Sequence, residues 1–147
     1  MNKNDIDIFE NREEFCSVER FPFAKNLFYG NYIETVKNYE THDNCFICIV
    51  TSGHKGDSEC LNGFLTKNYA YLGMIGSARK IKKIYAELKE DSVKKELFKK
   101  VNAPMGININ SNEPKEIALG IMAEIIIKKN NANLIHMKDL KLGGTYD

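Results

Sequence analysis

The stretch that most constrains the fold runs from Tyr69 to Lys80 and reads Tyr-Ala-Tyr-Leu-Gly-Met-Ile-Gly-Ser-Ala-Arg-Lys. Its first four residues are aromatic or apolar, which is typical of a strand covered on both faces. Gly73 and Gly76 then predict a short turn where the backbone can approach a ligand closely. Ser77 is a favoured N-cap residue. The stretch therefore predicts a strand over 69–72, a glycine turn, and a helix that begins just after the serine.

The predicted helix carries two cations, Arg79 and Lys80, in its first turn. Cations at this end oppose the helix dipole, at a cost of roughly 0.3–1 kcal/mol each. A bound anion would relieve the conflict, because free backbone N–H groups and positive side chains would converge on it. The turn is therefore a candidate phosphate site. A tight turn with two solvated basic side chains explains the same residues equally well.

Size and charge exclude several classes of protein. The 147 residues suffice for one domain with a full core, and the formal net charge of +1 argues against nucleic-acid binding by bulk charge. No apolar run reaches the length of a membrane span, and the N-terminus lacks the apolar stretch of a signal peptide. Four irregularly spaced cysteines indicate a reduced, cytoplasmic setting. We expect a cytoplasmic protein with neither nucleic-acid nor membrane partners.

Strand and helix patterns alternate along the chain. Strands are predicted over 5–10, 26–29 and 45–50, and the last, apolar throughout, is expected at the centre of a parallel sheet. Helical patterns cover 32–39, 57–65, 78–88 and 93–101, and a long helix begins at Pro114. The alternation predicts an α/β fold with helices on the faces of a parallel sheet. We expect one domain over 1–130 and a polar tail over 131–147.

Ligands of such folds bind beyond the carboxyl ends of the strands, where the loops 10–12, 51–57 and 73–80 would gather. Glu10 ends a strand, where a carboxylate either accepts a ribose hydroxyl or is simply solvated. Arg12 either contacts a phosphate or is exposed. The candidate binding residues are Glu10, Arg12, Thr51, Gly53, His54, Asp57, Gly73, Met74, Ile75, Gly76, Ser77, Arg79, Lys80 and Gly106.

The polar and sulfur-containing residues give weaker signals. His54, in a glycine-flanked loop, could bind a phosphate, a pterin edge or a metal, and Asp57 is a better helix cap than general base. Cys45 and Cys48 have C-x-x-C spacing, but residues three apart on a strand point to opposite faces, which predicts buried core thiols. No set of residues has a persuasive metal-binding spacing, and no catalytic residue is assigned.

Three segments resemble the C-terminal domain of the xanthine dehydrogenase accessory factor (XdhC/CoxI) family. The segment Tyr71-Leu-Gly-Met-Ile-Gly-Ser-Ala-Arg-Lys80 is similar to that family's Tyr-Ile-Gly-Met-Ile-Gly-Ser-Arg-Arg-Lys. The second segment, Ala103-Pro-Met-Gly-Ile-Asn-Ile109 followed by Pro114-Lys-Glu-Ile-Ala118, resembles its Pro-Ile-Gly-Leu-Asp-Ile and Pro-Glu-Glu-Ile-Ala segments. The loop Val50-Thr-Ser-Gly-His-Lys-Gly-Asp57 is close to its Thr-His-Gly-His loop, and the resemblance covers about residues 5 to 128.

The resemblance implies a Rossmann-like domain in a maturation factor for molybdenum hydroxylases, chaperone-like rather than catalytic. It implies binding of molybdenum cofactor (molybdopterin) or of a nucleotide such as NAD(P). Expected partners are the hydroxylase apoenzyme and a cysteine desulfurase. Two alternatives stay open, namely an NAD(P)-binding oxidoreductase domain and a degenerate protein-interaction module.

The chain departs from the family pattern at several positions. Ser52 replaces a histidine, Ala78 replaces an arginine, and Glu113 stands where a threonine would cap the last helix. The family's first strand and its Gly-x-Gly-x-x-Gly turn have no counterpart here. We therefore expect a Rossmann-like three-layer parallel sheet lacking its usual first strand, and doubtful binding of intact NAD. Because two interior strands would then expose backbone, we expect a homo-oligomer or a partner chain that supplies the strand.

Overall fold

The computed structural model describes residues 5–140 of the chain. It divides into two compact units, one ending at Met105 and one beginning at Gly106. Over residues 5–105 the first unit contains four strands and four helices: β1 (Asp7–Glu10), β2 (Asn26–Tyr29), α1 (Tyr32–Asn38), β3 (Phe46–Ile49), α2 (His54–Phe64), β4 (Tyr71–Met74), α3 (Ala78–Glu90) and α4 (Lys95–Phe98). A short 3-10 turn, Glu13–Phe15, follows β1. The second unit contains α5 (Pro114–Lys129) and a 3-10 turn, Met137–Asp139.

All pairing between the described strands is parallel, as predicted. β1 pairs with β2, with Ile8 opposite Leu27, and β3 pairs with β4, with Ile47 opposite Leu72. Within residues 5–140 these pairs form two separate sheets of two strands each. β3 was expected to lie centrally in one sheet, but only one of its edges is paired with another strand. β3 is therefore not fully buried although its sequence is apolar, and Phe46 is 36% exposed.

The strand in the opening stretch lies two residues later than predicted. β4 spans Tyr71–Met74, so Gly73 and Met74 are strand residues, and the turn begins at Ile75. The reason is packing: a Cβ atom on Gly73 would lie 2.6 Å from the Tyr71 hydroxyl oxygen and 2.9 Å from the Met105 Sδ. This glycine permits close contact inside the sheet. The turn itself depends on Gly76, whose φ of +151° favours glycine.

The helix ends confirm one predicted cap and overturn another. Ser77 caps α3, since its Oγ accepts the Lys80 N–H at 3.2 Å. The predicted cap at Asp57 is wrong, because α2 already begins at His54 and its N-cap is Gly53. Asp57 lies in the first turn of α2, where its side chain is buried. The Thr51-to-Gly53 loop is therefore shorter, and the helix longer, than the sequence pattern indicated.

The core of the first unit lies where α1, α2 and α3 meet the strands. Its fully buried side chains include Val36, Leu61, Leu72, Met74 and Ile84. Burial of each such aliphatic side chain contributes about 1.5–3 kcal/mol. Rings from three elements extend the core under β1, because Phe9 lies 5.0 Å from the Tyr39 ring and 6.3 Å from the Phe64 ring. This core fixes the carboxyl ends of the strands that form the candidate site.

The cysteines are not disulfide-bonded, and their burial differs from the prediction. Cys48 is exposed and Cys45 is half-buried, so the interpretation of both as buried core thiols is wrong for Cys48. The exposed face of β3 explains this difference. Cys60, on α2, is the buried cysteine, and burial raises the pKa of its thiol to about 12.

In the second unit, α5 begins at Pro114, as predicted. Glu113 is its N-cap and makes no side-chain hydrogen bond to the helix, in agreement with the weak cap expected there. Gly120 packs against the segment before the helix, and its carbonyl accepts the Ile107 N–H at 3.1 Å. The helix exposes Leu119, Met122 and Ile126. The predicted domain boundary at residue 130 stays a prediction.

Candidate functional site

The carboxyl ends of β1, β2 and β3 open onto one cavity of about 270 Å³, here called the crevice. Its lining comes from the residues that follow each of these strands and from the first turns of α1 and α2. The lining residues are Asn11, Asn31, Tyr32, Thr51, Ser52, Gly53, Lys55, Gly56 and Glu59. Most of these side chains are polar. The crevice thus occupies the position at which parallel α/β sheets bind their ligands.

Two helices point their N-termini into the crevice, and they differ in how they are capped. Asn31 caps α1, since its Oδ1 accepts the N–H groups of Ile33 and Glu34 at 2.8 and 3.3 Å. The N-cap of α2, Gly53, has no side chain that can accept a hydrogen bond. The first-turn N–H groups of α2 are therefore available to a ligand, and the helix dipole favours an anion there.

Gly56 allows the loop after β3 and the Tyr32 ring to pack closely against α2 in the wall of the crevice. A Cβ atom at this position would lie 2.7 Å from the Thr51 Oγ1 and 3.0 Å from the Tyr32 ring. Such contacts would force the loop after β3 away from α2 or push the Tyr32 ring into the crevice. Gly53 is different, because a Cβ atom there would meet nothing within 4 Å. The two glycines therefore offer a matched pair for testing the site.

Glu10 and Arg12 form a tight pair at the end of β1, on either side of Asn11. The Arg12 Nε and Nη2 donate to the two Glu10 carboxylate oxygens at 2.9 and 2.8 Å, and the Arg12 backbone N–H donates to Oε1 at 3.1 Å. These hydrogen bonds lower the pKa of the buried Glu10 carboxyl, so it is ionised at neutral pH. The Arg12 guanidinium also stacks 4.3 Å from the Phe15 ring. Glu10 is thus a fixed acceptor at a strand end.

Asp57 joins two of the predicted site loops, 51–57 and 73–80, although it is fully buried. Its Oδ1 accepts the Thr51 backbone N–H at 3.1 Å and the Thr51 hydroxyl at 2.6 Å. Its Oδ2 forms an ion pair with the Lys80 ammonium. The conflict between Lys80 and the α3 dipole is therefore relieved inside the protein by a carboxylate. Of the two cations predicted to form an anion cradle, Lys80 is already paired, while Arg79 is exposed on the first turn of α3.

His54 connects α2 to α3. Its Nε2 lies 2.6 Å from the Glu87 Oε2, and both side chains are partly exposed. The imidazole is thus directed at α3 and is not among the groups that line the crevice. Within residues 5–140, no group of three His, Cys, Asp or Glu side chains is arranged to hold a metal ion.

Some of the predicted residues line or flank the crevice, and others belong to β4 or to the second unit. Thr51 and Gly53 line the crevice, and the Glu10–Arg12 pair flanks it at Asn11. Gly73 and Met74 lie inside β4 and are buried. Gly106 belongs to the second unit, where it has a φ of +100° and donates its N–H to Glu124.

Several residues that line the crevice were not predicted as site residues from the sequence: Asn11, Asn31, Tyr32, Ser52, Lys55, Gly56 and Glu59. Two of these had usable signals. Asn31 is a good N-cap residue between a predicted strand and a predicted helix. Gly56 is the second glycine of the loop that contains His54.

Comparison with known proteins decides the family. The model of the XdhC Rossmann domain matches residues 3–125. This chain belongs to the XdhC Rossmann-domain family. The resemblance inferred from three short segments is thereby confirmed, together with the Rossmann-like α/β fold. In residues 5–140, no helix has both the length and the apolar character that a membrane crossing needs.

Three similar proteins are longer than this chain. The uncharacterised Escherichia coli K12 protein YqeB is 31% identical over 129 residues, which cover 87% of this chain and 24% of YqeB. A probable xanthine dehydrogenase subunit of Bacillus subtilis is 24% identical over 115 residues, covering 78% of this chain and 33% of that protein. The crystal structure of a xanthine dehydrogenase from Bacillus halodurans has a TM-score of 0.72 at 22% identity, covering 86% of this chain and 36% of its own. The chain thus spans between 24% and 36% of these proteins.

Proposed function

We propose that this XdhC-family domain acts in the maturation of molybdenum hydroxylases of the xanthine dehydrogenase type. In this proposal it binds molybdenum cofactor, or a nucleotide, through a phosphate group in the crevice and aids cofactor delivery. The observation that carries the proposal is that three strand ends and the uncapped N-terminus of α2 converge on one polar crevice. Relatives named for xanthine dehydrogenase support the link to that enzyme class.

The size of the crevice favours a small ligand. Its volume of about 270 Å³ lies just below the range of about 300–1,000 Å³ that is usual for ligand pockets. A pterin phosphate or a mononucleotide matches this space better than an extended dinucleotide. A protein partner or a second segment of the same protein could enlarge the crevice by adding a further wall.

The crevice lining carries one cation, Lys55, and one carboxylate, Glu59, so a phosphate would depend on the N-terminus of α2 as well as on Lys55. Lys55 is paired only loosely with Glu59, at 3.8 Å, and its side chain is 91% exposed, so it can turn toward a ligand. The Glu10 carboxylate is already neutralised by Arg12 and adds no net negative charge. A phosphate would bind the first-turn N–H groups of α2 with Lys55 beside it, and Glu10 would accept a hydroxyl or a pterin N–H.

In this proposal the residues of this chain bind and orient the ligand, and none has a catalytic role. When bound, molybdenum cofactor supplies the redox chemistry of the hydroxylase that receives it. The apoenzyme and a cysteine desulfurase are the proposed partners, in the cytoplasm. A second candidate, an NAD(P)-binding oxidoreductase domain, is favoured by the ionised Glu10 at a strand end, because dinucleotide-binding folds place an acidic residue there.

Thermal unfolding with added ligands tests the proposal. A true ligand at a hundredfold excess over its Kd should stabilise the fold by about 2.7 kcal/mol, roughly 5–11 °C for a domain of this size. We expect this shift with molybdopterin or with AMP and GMP, and a smaller one with NAD or NADP. A shift largest with NAD or NADP would favour the oxidoreductase candidate. No shift with any of these compounds would favour a protein-interaction module.

Three variants locate the site in the same assay, each compared with its own ligand-free melting temperature. Gly56→Ala should abolish the shift because it narrows the crevice, and Gly53→Ala should retain it because the added methyl group meets nothing. Arg79→Ala tests the other candidate site, at the Gly76 turn. If Arg79→Ala abolished the shift and Gly56→Ala did not, the ligand would bind at that turn, and the crevice assignment would be wrong.

A further inference from the structure

Within residues 5–140 the crevice lining contains one carboxylate, that of Glu59 in the second turn of α2. Its side chain is 18% exposed, and it lies 3.8 Å from the Lys55 ammonium. A charge-assisted hydrogen bond is shorter, at about 2.7–2.9 Å. No hydrogen bond from a described residue reaches the Glu59 carboxylate. Because this carboxylate is largely removed from water and has few donors around it, it is an acceptor that a ligand can satisfy.

Asn31 supplies a donor to the same crevice, and Tyr32 supplies a flat wall. The Asn31 Oδ1 accepts the N–H groups of Ile33 and Glu34, so the cap fixes the orientation of the amide. The cap leaves the Nδ2 group with two N–H donors for a ligand carbonyl. The Tyr32 ring is buried against Gly56, 3.0 Å from the place of a Cβ atom there. An acceptor, a donor and an aromatic wall together suit a planar heterocycle.

The position of Glu59 on α2 sets the length of such a ligand. From the N-cap Gly53 to Glu59 the helix rises by about 9 Å, and Lys55 lies one turn before Glu59 on the same face. A ligand that occupies both places carries an anion at one end and N–H donors at the other. Inorganic phosphate has no such second end, whereas a heterocycle with a phosphate on its side chain or sugar does.

We propose that Glu59 is the specificity-determining residue of the crevice and accepts the N–H donors of a 2-amino-4-oxopyrimidine ring. Pterins and guanine share this ring edge, on which an N–H group and an amino group lie side by side. The two groups would each donate a hydrogen bond to one carboxylate oxygen, and the oxo group is left for the Asn31 amide. The inference rests on the proposed function, because it needs the phosphate of the same ligand at the start of α2.

The same carboxylate disfavours adenine. Adenine carries its amino group beside a ring nitrogen that accepts hydrogen bonds, so one Glu59 oxygen would face a lone pair. Hypoxanthine keeps the N–H group but lacks the amino group, and it would make one of the two bonds. Glu10 is a poorer partner for this edge, since Arg12 already donates to both of its carboxylate oxygens. Glu10 is therefore left to accept a hydroxyl.

Titration with GMP, IMP and AMP, followed at the backbone amides of Lys55 and Gly56, tests the inference. The three nucleotides share one phosphate and one ribose, so differences in Kd report the ring. We expect the Kd of GMP to be about tenfold below that of IMP and about a hundredfold below that of AMP. Neopterin monophosphate, with the same ring edge, should also bind at least about tenfold more tightly than AMP. Whichever of GMP and neopterin monophosphate binds more tightly identifies the ligand as a nucleotide or a pterin.

Glu59→Gln provides the test of the residue itself. Glutamine keeps one accepting oxygen and replaces the other with an amide donor, which suits adenine. The ratio of the AMP Kd to the GMP Kd should fall from about 100 to about 1. Glu90→Gln, at the exposed end of α3, should leave the ratio unchanged. Because the ratio compares two ligands on one variant, a change in stability or in the position of Lys55 does not alter it.

The possible failures of this inference and of the proposed function are distinguishable. Equal Kd values for GMP, IMP and AMP, with shifts at the Lys55 and Gly56 amides, would overturn the role of Glu59 and support phosphate binding in the crevice. An unchanged Kd ratio in Glu59→Gln would have the same meaning. If no nucleotide or pterin phosphate gave a saturable change at these amides, both proposals would be wrong.

Discussion

The buried ion pair between Asp57 and Lys80 gives the sharpest prediction about stability, because its two partners differ in burial. Asp57 is 0% exposed, whereas the Lys80 side chain is 28% exposed. Lys80→Met would leave a fully buried carboxylate without its counter-ion, at an expected cost of about 3–5 kcal/mol. Asp57→Asn would keep an oxygen that accepts the Thr51 N–H, and the Lys80 ammonium could turn toward water. We expect that substitution to cost about 1–3 kcal/mol.

Urea unfolding of the two single variants and the double variant measures these costs. Lys80→Met should lower the urea concentration at the unfolding midpoint most. The same loss of stability would lower Tm in thermal unfolding by roughly 6–20 °C. The double variant Asp57→Asn/Lys80→Met should be more stable than Lys80→Met alone, because it leaves no uncompensated charge. An unchanged m-value would show that the fold is retained. A larger loss of stability for Asp57→Asn than for Lys80→Met, or a loss below about 1 kcal/mol for Lys80→Met, would contradict this prediction.

Two further predictions concern a helix cap and an acidic residue. Ser77→Ala should destabilise the protein by about 1 kcal/mol in urea unfolding because it removes the cap of α3. Glu113→Ala should change the stability little, because Glu113 makes no side-chain capping bond to α5. Equal losses of stability in the two variants would contradict the assignment of Ser77 as a cap. Arg12→Ala should raise the pKa of Glu10 toward its ordinary value of 4.5, measurable by carboxyl NMR. The native pKa of Glu10 is lowered, so the stability that Arg12 contributes should be present above about pH 4.5 and should disappear as pH falls below it. If Arg12→Ala lowered the free energy of unfolding by the same amount at every pH, the ion pair with Glu10 would not be the cause.

Local patterns predicted most of the elements. The 26–29 strand, the Ser77 cap, the buried face of α3 and the start of α5 at Pro114 follow from short-range rules on turns, caps and periodicity. Parallel pairing followed from the alternation of strands and helices. These features depend on residues close together in sequence, which is why the sequence alone revealed them.

The candidate site was predicted less completely, because its geometry depends on contacts between distant residues. Gly73 looked like a turn glycine, but it is required by the packing of Tyr71 and Met105 in the sheet. Lys80 looked available to an anion, but Asp57, a residue of another helix, already neutralises it. The crevice is formed by loops that follow three different strands, so no single segment of the sequence predicts it.

We propose that a phosphate-bearing ligand binds in the crevice, at the N-terminus of α2. Mapping of backbone amide chemical shifts during titration with molybdopterin and with GMP tests this claim most directly. We expect the largest, saturable changes at the amides of His54, Lys55 and Gly56, with smaller ones at Asn11. Changes concentrated at Gly76 to Lys80, or no saturable change with either compound, would contradict it.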